Sequence, residues 1–434
     1  MGKKQCALGF MEELTTTIGI LGLGFVGLTT ALGFSEKGYC VLGYDANETR
    51  QQLINNGKVP FYEPGLDDAL NKNLNKTFYL ETSAEIVARK SDIIFFCVGT
   101  PCGEDGKADL SYIFSALDSV FPVFGDNKYR LLIIKSTIPP GTAKNNIFPY
   151  LREKGISDKC SLANNPEFLR EGKCWDDFIK PDRIVCGVQD ERAAEVLKKI
   201  YVPFNAPIYF VSLNTAEFIK YLSNALLASM ISFSNEMSMI AEVVGGINVR
   251  QAFHALHEDK RLKKTGIAHY IFPGCGYGGY CLPKDIKALA AIAKQNGLTP
   301  RIINEVIAVN EKMPSFFTEK ILSLTKREKS IGILGLSFKP ASDDVRDSAS
   351  AKIICLLLEN GIKNIYAYDP VANHDFNALY KFNNVEYLES KEELCKMSDV
   401  IVLVTAWEEF KFLRFSFPQK EWIDCRYFLE EETH

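Results

Sequence analysis

Short apolar runs at the beginning of the chain alternate with longer segments of helical periodicity. An apolar, β-branched run at 17–23 leads into GLGFVG at 22–27, a helical segment follows, and a second apolar run occupies 39–44. Two further runs, at 91–101 and 131–142, end in loops of small and turn-forming residues. Apolar runs separated by helices are typical of buried strands in a parallel sheet. The pattern predicts a doubly wound α/β unit.

The same pattern returns near the end of the chain. SIGILGLSF at 330–338 nearly repeats TIGILGLGF at 17–25. Apolar runs at 364–370 and 398–407 then follow in the same order as their counterparts in the first unit. Three matches in one order predict a second α/β unit of related design.

A long helical segment separates the two units. Residues 213–246 keep helical periodicity for more than thirty residues and end at a Gly-Gly pair, and Asn214 or Thr215, with Glu217 nearby, is expected to cap the helix. Apolar and small residues on several faces indicate a helix that is covered at a domain junction or by a second copy of the chain. Closed twofold symmetry is the commonest arrangement of such copies, so we expect a homodimer.

Composition adds several exclusions. The 434 residues are too many for one core and predict two or three domains, and the net charge of −4 argues against a nucleic-acid partner. No run approaches the ~18 apolar residues of a membrane span. The twelve cysteines include no CxxC pair, which favours reduced thiols in the cytoplasm. His254 and His257 form an HxxH without clustered ligand-type residues, so no metal site is predicted.

The first unit contains the glycine pattern of a dinucleotide site. In the order strand, GxGxxG, helix, strand and acid, Gly22 makes the tight turn, Gly24 lets the backbone approach a pyrophosphate, and Gly27 lets the helix pack closely. Asp45 is expected to accept hydrogen bonds from the adenosine ribose, which favours NAD, whereas Arg50 could serve a 2′-phosphate. The expected fold is therefore α/β, with two Rossmann-like doubly wound parallel-sheet domains joined by a long-helix α-helical domain.

Other candidate residues follow from their positions. Thr100 and Thr137 stand at the carboxyl ends of predicted strands, where ligands bind in such sheets. In the second unit Ser337 and Pro340 replace the second and third glycines of the pattern, and Lys339 is gained. This change, together with a nearby arginine, predicts a different phosphate ligand held by cations.

Cys281 follows a run of glycines and precedes a predicted helix. A helix start and the neighbouring Lys284 both lower the pKa of a thiol. Most cysteines are small buried hydrophobes, but a loop of glycines is a poor core. Close backbone approach, to another element or to a ligand, is the expected reason for the glycines.

Eight motifs occur in order along the chain: GLGFVG (22–27), EPGL (63–66), GTP (99–101), STIPPGT (136–142), NPEFLREG (165–172), EFIKYLSNA (217–225), GYGGYCLPKD (276–285) and LSFKPASDDVRDS (336–348). Together they resemble the UDP-glucose/GDP-mannose dehydrogenase family, from about Thr16 onwards. The resemblance implies four domains: an N-terminal extension (1–15), an NAD-binding Rossmann domain (16–212), a central helical and dimerisation domain (213–325) and a UDP-binding Rossmann-like domain (326–434).

The resemblance also implies a reaction. Family members oxidise a primary alcohol of a nucleotide sugar to a carboxylate and pass four electrons to two NAD⁺. A thiol is needed because it adds to the aldehyde as a thiohemiacetal, which the second oxidation converts to a thioester. The form of GGYCLPKD resembles the UDP-glucose and GDP-mannose branches of the family. The expected substrate is UDP-glucose, oxidised at C6 to UDP-glucuronate for polysaccharide synthesis, with GDP-mannose or another nucleotide sugar left open.

Site residues are carried over by motif. The implied catalytic residues are Cys281 as nucleophile, Lys220 and Asn224 for the oxyanion, Glu167 as base, with Thr137, and Asp285. The implied cofactor contacts are Gly22, Gly24, Val26, Gly27, Asp45, Arg50, Thr100, Thr137, Glu171, Lys284 and Arg346. The implied substrate contacts are Phe168, Leu169, Lys220, Asn224, Arg261, Tyr270, Gly274, Gly278, Phe338, Lys339 and Arg426, with Arg261 reaching a partner subunit's substrate.

The chain departs from the family pattern at three places. Cys275 stands where no cysteine is expected, IDCR at 423–426 replaces DGR, and DKRL replaces RIG. Two other functions stay open: a two-electron hydroxyacid-type dehydrogenase, which has no need of Cys281, and a non-catalytic nucleotide sensor. NADH yield against a panel of nucleotide sugars distinguishes them.

Overall fold

A computed structural model describes residues 16–103, 106–126, 128–263, 266–325 and 329–429. The expected extension at 1–15 lies outside the described residues. The chain divides into two compact units, Met1–Leu222 and Ser223–His434.

The first unit is built on an eight-stranded sheet. Its strands are β1 (Thr17–Leu21), β2 (Cys40–Tyr44), β3 (Phe78–Leu80), β4 (Ile93–Phe96), β5 (Arg130–Ile134), β6 (Cys160–Asn164), β7 (Ile184–Val188) and β8 (Ile208–Val211). They lie in the order β3-β2-β1-β4-β5-β6-β7-β8, and β6 and β7 are antiparallel while the other neighbours are parallel. The four sequence-predicted strands, β1, β2, β4 and β5, are adjacent in this sheet.

Helices cover both faces of that sheet. They are α1 (Phe25–Glu36), α2 (Glu48–Asn55), α3 (Leu66–Asn73), α4 (Ala84–Lys90), α5 (Ser111–Val120), α6 (Phe148–Glu153), α7 (Cys174–Ile179), α8 (Glu191–Tyr201) and the beginning of α9 (Leu213–Val244). Successive strand residues point to opposite faces. Phe95 therefore packs with Phe34 of α1 in one core, and Phe96 packs with Leu117 of α5 in the other. Because both faces are buried, the central strands are mostly apolar, as in the fully buried β4.

The amino end of α9 differs from the sequence prediction. Ser212 caps it, since its Oγ accepts a hydrogen bond from the Thr215 backbone N–H at 3.2 Å, so the expected cap at Asn214 or Thr215 is wrong. The Glu217 carboxylate instead accepts two backbone N–H bonds, at 2.5 and 2.8 Å, from the loop 141–143. The side chain thus ties the helix to the loop after β5. Although α9 has 32 residues, neither it nor another helix in the described ranges has the apolar character of a membrane span.

The second unit repeats the Rossmann strand order. Its strands β9 (Ile331–Leu334), β10 (Ile365–Tyr368), β11 (Val385–Tyr387), β12 (Val400–Leu403) and β13 (Glu421–Asp424) form an all-parallel sheet in the order β11-β10-β9-β12-β13. The first five strands of the first unit have the equivalent order. The predicted fold of two Rossmann-like domains and a long central helix is confirmed.

Helices before and around the second sheet complete this unit. They are α10 (Val249–His257), α11 (Lys260–Lys263), α12 (Cys281–Gln295), α13 (Arg301–Leu324), α14 (Ala349–Glu359), α15 (Asn373–Tyr380), α16 (Lys391–Met397) and α17 (Leu413–Ser416). The predicted helix after the glycine run is α12, and it begins at Cys281 itself. Cys281 therefore stands at a helix N-terminus.

Candidate active site

The glycine turn between β1 and α1 leaves room for a ligand at one position. Gly22 has φ +88°, and a Cβ there would lie 2.8 Å from the Cys97 carbonyl oxygen. A Cβ on Gly27 would lie 1.8 Å from the Gly22 carbonyl oxygen, so the helix packs directly on the turn. A Cβ on Gly24 would meet nothing within 4 Å. The turn therefore packs against the protein at Gly22 and Gly27 and is open at Gly24, near Val26 in the first turn of α1. The open space at Gly24 fits a bound pyrophosphate.

Asp45 lies at the end of β2 beside this turn. Its Oδ2 accepts a hydrogen bond from the Leu23 backbone N–H at 2.6 Å, and its Oδ1 accepts one from Asn47 at 2.8 Å. Arg50 Nη1 pairs with Asp45 Oδ2 at 2.9 Å. A carboxylate at this place repels a 2′-phosphate and leaves Arg50 with a local acidic partner. The arrangement favours NAD over NADP.

The loops after β4 and β5 contact each other through the two predicted threonines. Thr100 is buried, and its Oγ1 donates to the Thr137 carbonyl oxygen at 2.8 Å. Thr137 is half-buried, as is Glu171 in the loop after β6. The structure thus places Thr100 and Thr137 together at the carboxyl ends of neighbouring strands.

Glu167 and Lys220 form a buried ion pair in the first unit. Lys220 Nζ lies 2.7 Å from Glu167 Oε1, and Glu167 Oε2 accepts a hydrogen bond from the Leu169 backbone N–H at 2.6 Å. Burial raises the pKa of Glu167, but the charge and hydrogen bond of Lys220 outweigh it, so the pKa lies below its ordinary value. Glu167 is therefore a carboxylate at neutral pH. Lys220 Nζ also lies 5.7 Å from the centre of the Phe168 ring.

Lys135 is a buried lysine beside this pair that the sequence interpretation missed. Its Nζ donates to Asn165 Oδ1 at 2.9 Å, and the same oxygen accepts from the Tyr201 hydroxyl at 2.5 Å. Burial lowers the pKa of Lys135, and the Glu167 carboxylate partly opposes that shift. A charged residue directly after the apolar run LLII was the signal that could have identified it.

In the second unit, Asp285 joins two predicted residues. Asn224 Nδ2 donates to Asp285 Oδ2 at 2.7 Å, and Lys284 Nζ lies 2.5 Å from Asp285 Oδ1. Burial lowers the pKa of Lys284, but the Asp285 carboxylate and then Cys281 raise it by more. The pKa therefore lies above its ordinary value, and Lys284 remains an ammonium ion. Cys281 is exposed, one helical turn before the buried Asp285. A positive charge therefore lies next to the thiol at a helix N-terminus.

The glycine run before Cys281 makes close contacts with the rest of its unit. A Cβ on Gly274 would lie 2.6 Å from Arg426 Nη1, and one on Gly278 would lie 2.5 Å from the Asp347 carbonyl oxygen. The neighbouring Gly279 has φ +76°, and its Cβ would lie 3.0 Å from the Phe338 ring. Glycine is therefore required at these positions because other parts of the protein lie too close for a side chain. This is one of the two reasons expected from the sequence.

The predicted cations of the second unit lie on aromatic rings. Lys339 Nζ is 5.5 Å from the centre of the Phe338 ring. The Arg346 guanidinium is 4.4 Å from the centre of the Tyr280 ring and pairs with Asp344 at 2.7 Å. A cation over a ring keeps its charge while its orientation is fixed. Both cations follow β9, in the place of the glycine turn of the first unit.

Among the described residues, two predicted substrate contacts have no hydrogen bond or ion pair to these groups. Arg261 has a side-chain exposure of 88% and pairs with Asp259 at 2.5 Å. Tyr270 is half-buried at the end of a short 3-10 helix, Ile267–Tyr270.

Comparison with known proteins identifies the family. Models of the UDP-glucose/GDP-mannose dehydrogenase family match in three parts: the NAD binding domain at residues 16–205, the central domain at 214–312 and the UDP binding domain at 332–431. The chain belongs to the UDP-glucose/GDP-mannose dehydrogenase family. As a member, it is an oxidoreductase, and its cofactor is NAD.

Relatives of this dehydrogenase match over nearly its full length. The UDP-glucose 6-dehydrogenase of Rickettsia bellii is 38% identical over 408 residues, which cover 91% of this chain and 90% of the relative. The enzyme of the same name from Pseudomonas aeruginosa is 34% identical over 90% of this chain and 88% of its own. The structure of a UDP-glucose dehydrogenase from Pyrobaculum islandicum superposes with a TM-score of 0.88 at 36% identity, over 95% of this chain and 94% of that one.

Proposed function

We propose that this chain is a UDP-glucose 6-dehydrogenase that oxidises the C6 hydroxyl of UDP-glucose to the carboxylate of UDP-glucuronate. The observation that carries the proposal is the exposed Cys281 thiol at the start of α12, next to the buried Asn224–Asp285–Lys284 network. A two-electron dehydrogenase has no use for such a thiol. Relatives named for this reaction match over 90–91% of the chain, which supports UDP-glucose as the substrate.

NAD⁺, when bound, accepts a hydride in each of two oxidation steps. The aldehyde produced by the first step is a poor hydride donor, so the Cys281 thiolate forms a carbon–sulfur bond with its carbonyl carbon. The resulting oxyanion takes up a proton to give a thiohemiacetal on Cys281, whose oxidation leaves a thioester. Water then attacks the thioester carbon, the carbon–sulfur bond breaks, and Cys281 returns as the thiolate.

Lys220 and Asn224 have the chemistry to stabilise the oxyanion. They are four residues apart on α9, so their side chains leave the same side of one helix. The Lys220 ammonium supplies charge and the Asn224 amide an N–H donor. Glu167, held as a carboxylate by Lys220, is the proposed base for the alcohol and for water, directly or through Thr137 and a water molecule.

The nucleotide part of the substrate is proposed to bind in the second unit. Phe338, Lys339 and Arg426 offer a ring and two cations near the glycine run. Asp369, the counterpart of Asp45, cannot serve a ribose in the same way. Its Oδ2 accepts from the Leu336 and Ser337 backbone N–H groups and from two side chains, so it holds the turn itself. The different phosphate site expected from the sequence has this physical basis.

The test is Cys281→Ser with UDP-glucose and NAD⁺. We expect carboxylate formation to be lost while NAD and UDP-glucose still bind, because the hydroxyl cannot form the thioester. Cys355→Ser, which changes another exposed thiol, is the control and should keep full activity. Normal UDP-glucuronate turnover by the Cys281 variant would overturn the mechanism. The ratio of NADH to product separates this function from a two-electron enzyme, and a panel including GDP-mannose tests the sugar.

We further propose a homodimer formed on α9. Large apolar side chains on this helix are exposed at four- and seven-residue intervals: Phe218, Leu222, Leu226, Phe233 and Ile240, with exposed fractions of 46, 53, 51, 53 and 49%. These intervals place them along one helix face, and an apolar face of this extent is typical of a protein interface. A second copy of the chain is the proposed cover.

Arg261 is proposed to act across that interface. Its high exposure leaves the guanidinium accessible to a second subunit. Light scattering tests the dimer, and a monomer mass contradicts it. Mixing Arg261→Ala with Cys281→Ser tests the shared site, because one complete site per mixed dimer should restore activity. No recovery after verified subunit exchange would place the arginine in its own subunit's site.

The proposed setting is the cytoplasm, where UDP-glucuronate would serve polysaccharide synthesis. Reduced thiols support this setting, since no disulfide joins any of the eleven cysteines within the described ranges. Fractionation of cells that express the tagged chain is the direct test.

A further inference from the structure

Two buried cysteines of the second unit lie in contact with each other. Cys275 Sγ is 3.8 Å from the Cys425 carbonyl oxygen, and both side chains belong to the same buried apolar cluster. Their residues are only 3% and 0% exposed. They are 150 residues apart in the sequence, so the contact is made by the fold alone.

The pair joins the two segments that hold the proposed nucleotide contacts. Cys275 lies between Gly274 and the rest of the glycine run, six residues before Cys281. Cys425 directly precedes Arg426, whose guanidinium lies on Gly274. Nothing in the proposed reaction uses either thiol.

We propose that Cys275 and Cys425 form an oxidative modification site, a dithiol that a low-molecular-weight disulfide such as oxidised glutathione converts to an intramolecular disulfide, lowering affinity for the nucleotide sugar. The effect on affinity rests on the proposed function, whereas formation of the cross-link does not.

The chemistry is thiol–disulfide exchange in two steps. One cysteine thiolate attacks a sulfur of oxidised glutathione, forms a mixed disulfide and releases one glutathione thiolate, which is protonated. The second cysteine thiolate attacks the protein-bound sulfur, forms the Cys275–Cys425 bond and releases the second glutathione. The two protein thiols together lose two protons and two electrons, and oxidised glutathione is reduced to two molecules of glutathione.

Burial makes this oxidation dependent on local opening. Exclusion from water raises the pKa of the Cys425 thiol, and the neighbouring Cys275 thiol raises it further, so the reactive thiolate is rare in the closed state. The glycine run must therefore open before glutathione can reach the pair. A nucleotide held by Arg426 opposes that opening, and UDP is expected to slow the oxidation.

The cross-link changes the position of Arg426. A disulfide brings its sulfurs to about 2 Å, closer than two unbonded sulfur atoms can approach, so the two segments must move towards each other. The Asp424 carboxylate holds the backbone N–H groups of Arg426, Phe428 and Leu429, so this turn moves as a unit. Arg426 already fills the space above Gly274 and is displaced.

The experiment uses full-length Cys281→Ser protein, because this background removes the exposed thiol and separates binding from turnover. The protein is incubated with oxidised and reduced glutathione at several ratios, alkylated and mapped by mass spectrometry, and its affinity for UDP is measured by calorimetry. We expect a Cys275–Cys425 peptide, at least a tenfold loss of UDP affinity, recovery with dithiothreitol, and slower cross-linking when UDP is present.

The control is Cys275→Ala in the same background, which should show neither change; Cys425→Ser serves the same purpose if that variant does not fold. Absence of the Cys275–Cys425 peptide at every ratio overturns the site. A cross-link that leaves UDP affinity unchanged overturns its effect on binding. Failure of the reduced protein to bind UDP contradicts the proposed function instead, and the peptide map still decides whether the dithiol is oxidised.

Discussion

Replacing Lys220 with methionine removes the cation of the buried Glu167 pair and keeps a side chain of similar length. Only 6% of the Lys220 side chain and 7% of the Glu167 side chain are exposed. Removing one partner of a buried pair typically costs about 3–5 kcal/mol, because the other charge is left in a site of low polarity. At about 2–4 °C per kcal/mol, the unfolding midpoint of the first unit should fall by roughly 10 °C at pH 8.

The pH dependence of this loss has a definite sign. In the unchanged protein, the lowered pKa of Glu167 contributes stability that is present above its unfolded pKa of about 4.5 and is lost as pH falls through the folded value. Without Lys220, burial is opposed less and the pKa of Glu167 should rise above 4.5. In this variant Glu167 then contributes stability at low pH, and this contribution is lost as pH rises through the raised pKa. Lys220→Met should therefore be closer to the unchanged protein at pH 5 than at pH 8.

Scanning calorimetry at the two pH values measures this difference. Lys72→Met is the matched control, since Lys72 pairs with Glu36 on the surface and has a 66% exposed side chain; its loss should be below about 1 kcal/mol. The double variant Lys220→Met with Glu167→Gln should recover part of the stability, because no charge is left unpaired. A Lys220→Met loss equal to that of Lys72→Met at both pH values would refute the argument.

Gly276→Ala should destabilise the second unit by more than 1 kcal/mol, because φ is +95° and the new Cβ would lie 2.5 Å from Asn310 Oδ1. Gly246→Ala, where φ is +69° and a new Cβ would meet nothing within 4 Å, should lower the free energy of unfolding by less. Urea titration of both variants measures this, and equal losses would contradict the prediction. Lys339→Ala should weaken UDP-glucose binding about ten- to a hundredfold and leave NAD binding unchanged, as separate titrations can show. Burial raises the pKa of Glu217 to about 7, so its contribution to stability is present below pH 4.5 and is lost as pH rises through 7. Glu217→Gln should make the melting temperature depend less on pH over that range. An unchanged pH dependence would contradict the raised pKa of Glu217 as its cause.

The central part of each sheet could be predicted because it is buried on both faces. Strands such as β4 and β5 consist of consecutive buried residues, and such runs stand out in a sequence. The end of the first sheet was not predicted. Strand β8 is only half-buried, and β6 pairs antiparallel to β7. Neither an edge position nor a strand direction changes the local pattern of apolar residues.

The site was predictable as a set of residues but not as an arrangement. Motif order identified Glu167, Lys220 and Asp285, yet the pairing of Glu167 with Lys220 joins residues from different elements of the first unit. Lys135 lay outside the implied set, although it is buried beside the same carboxylate. The apolar run before it was a local signal of its burial, whereas its contact with Asn165, 30 residues away, has no local sequence signature.

The two Rossmann-like domains show why a repeated sequence does not imply a repeated site. Asp45 and Asp369 both end a second strand, and both accept backbone N–H bonds from the preceding turn. In the first domain Gly24 leaves that turn open, whereas Ser337 in the second donates its hydroxyl to Asp369 and closes it. Ser337 therefore closes the turn at the position that Gly24 leaves open in the first domain, while the turn and the sheet persist. In the proposed function, cations such as Lys339 then hold the phosphate ligand of the second domain, which would account for the loss of the glycine pattern and the gain of charge occurring together.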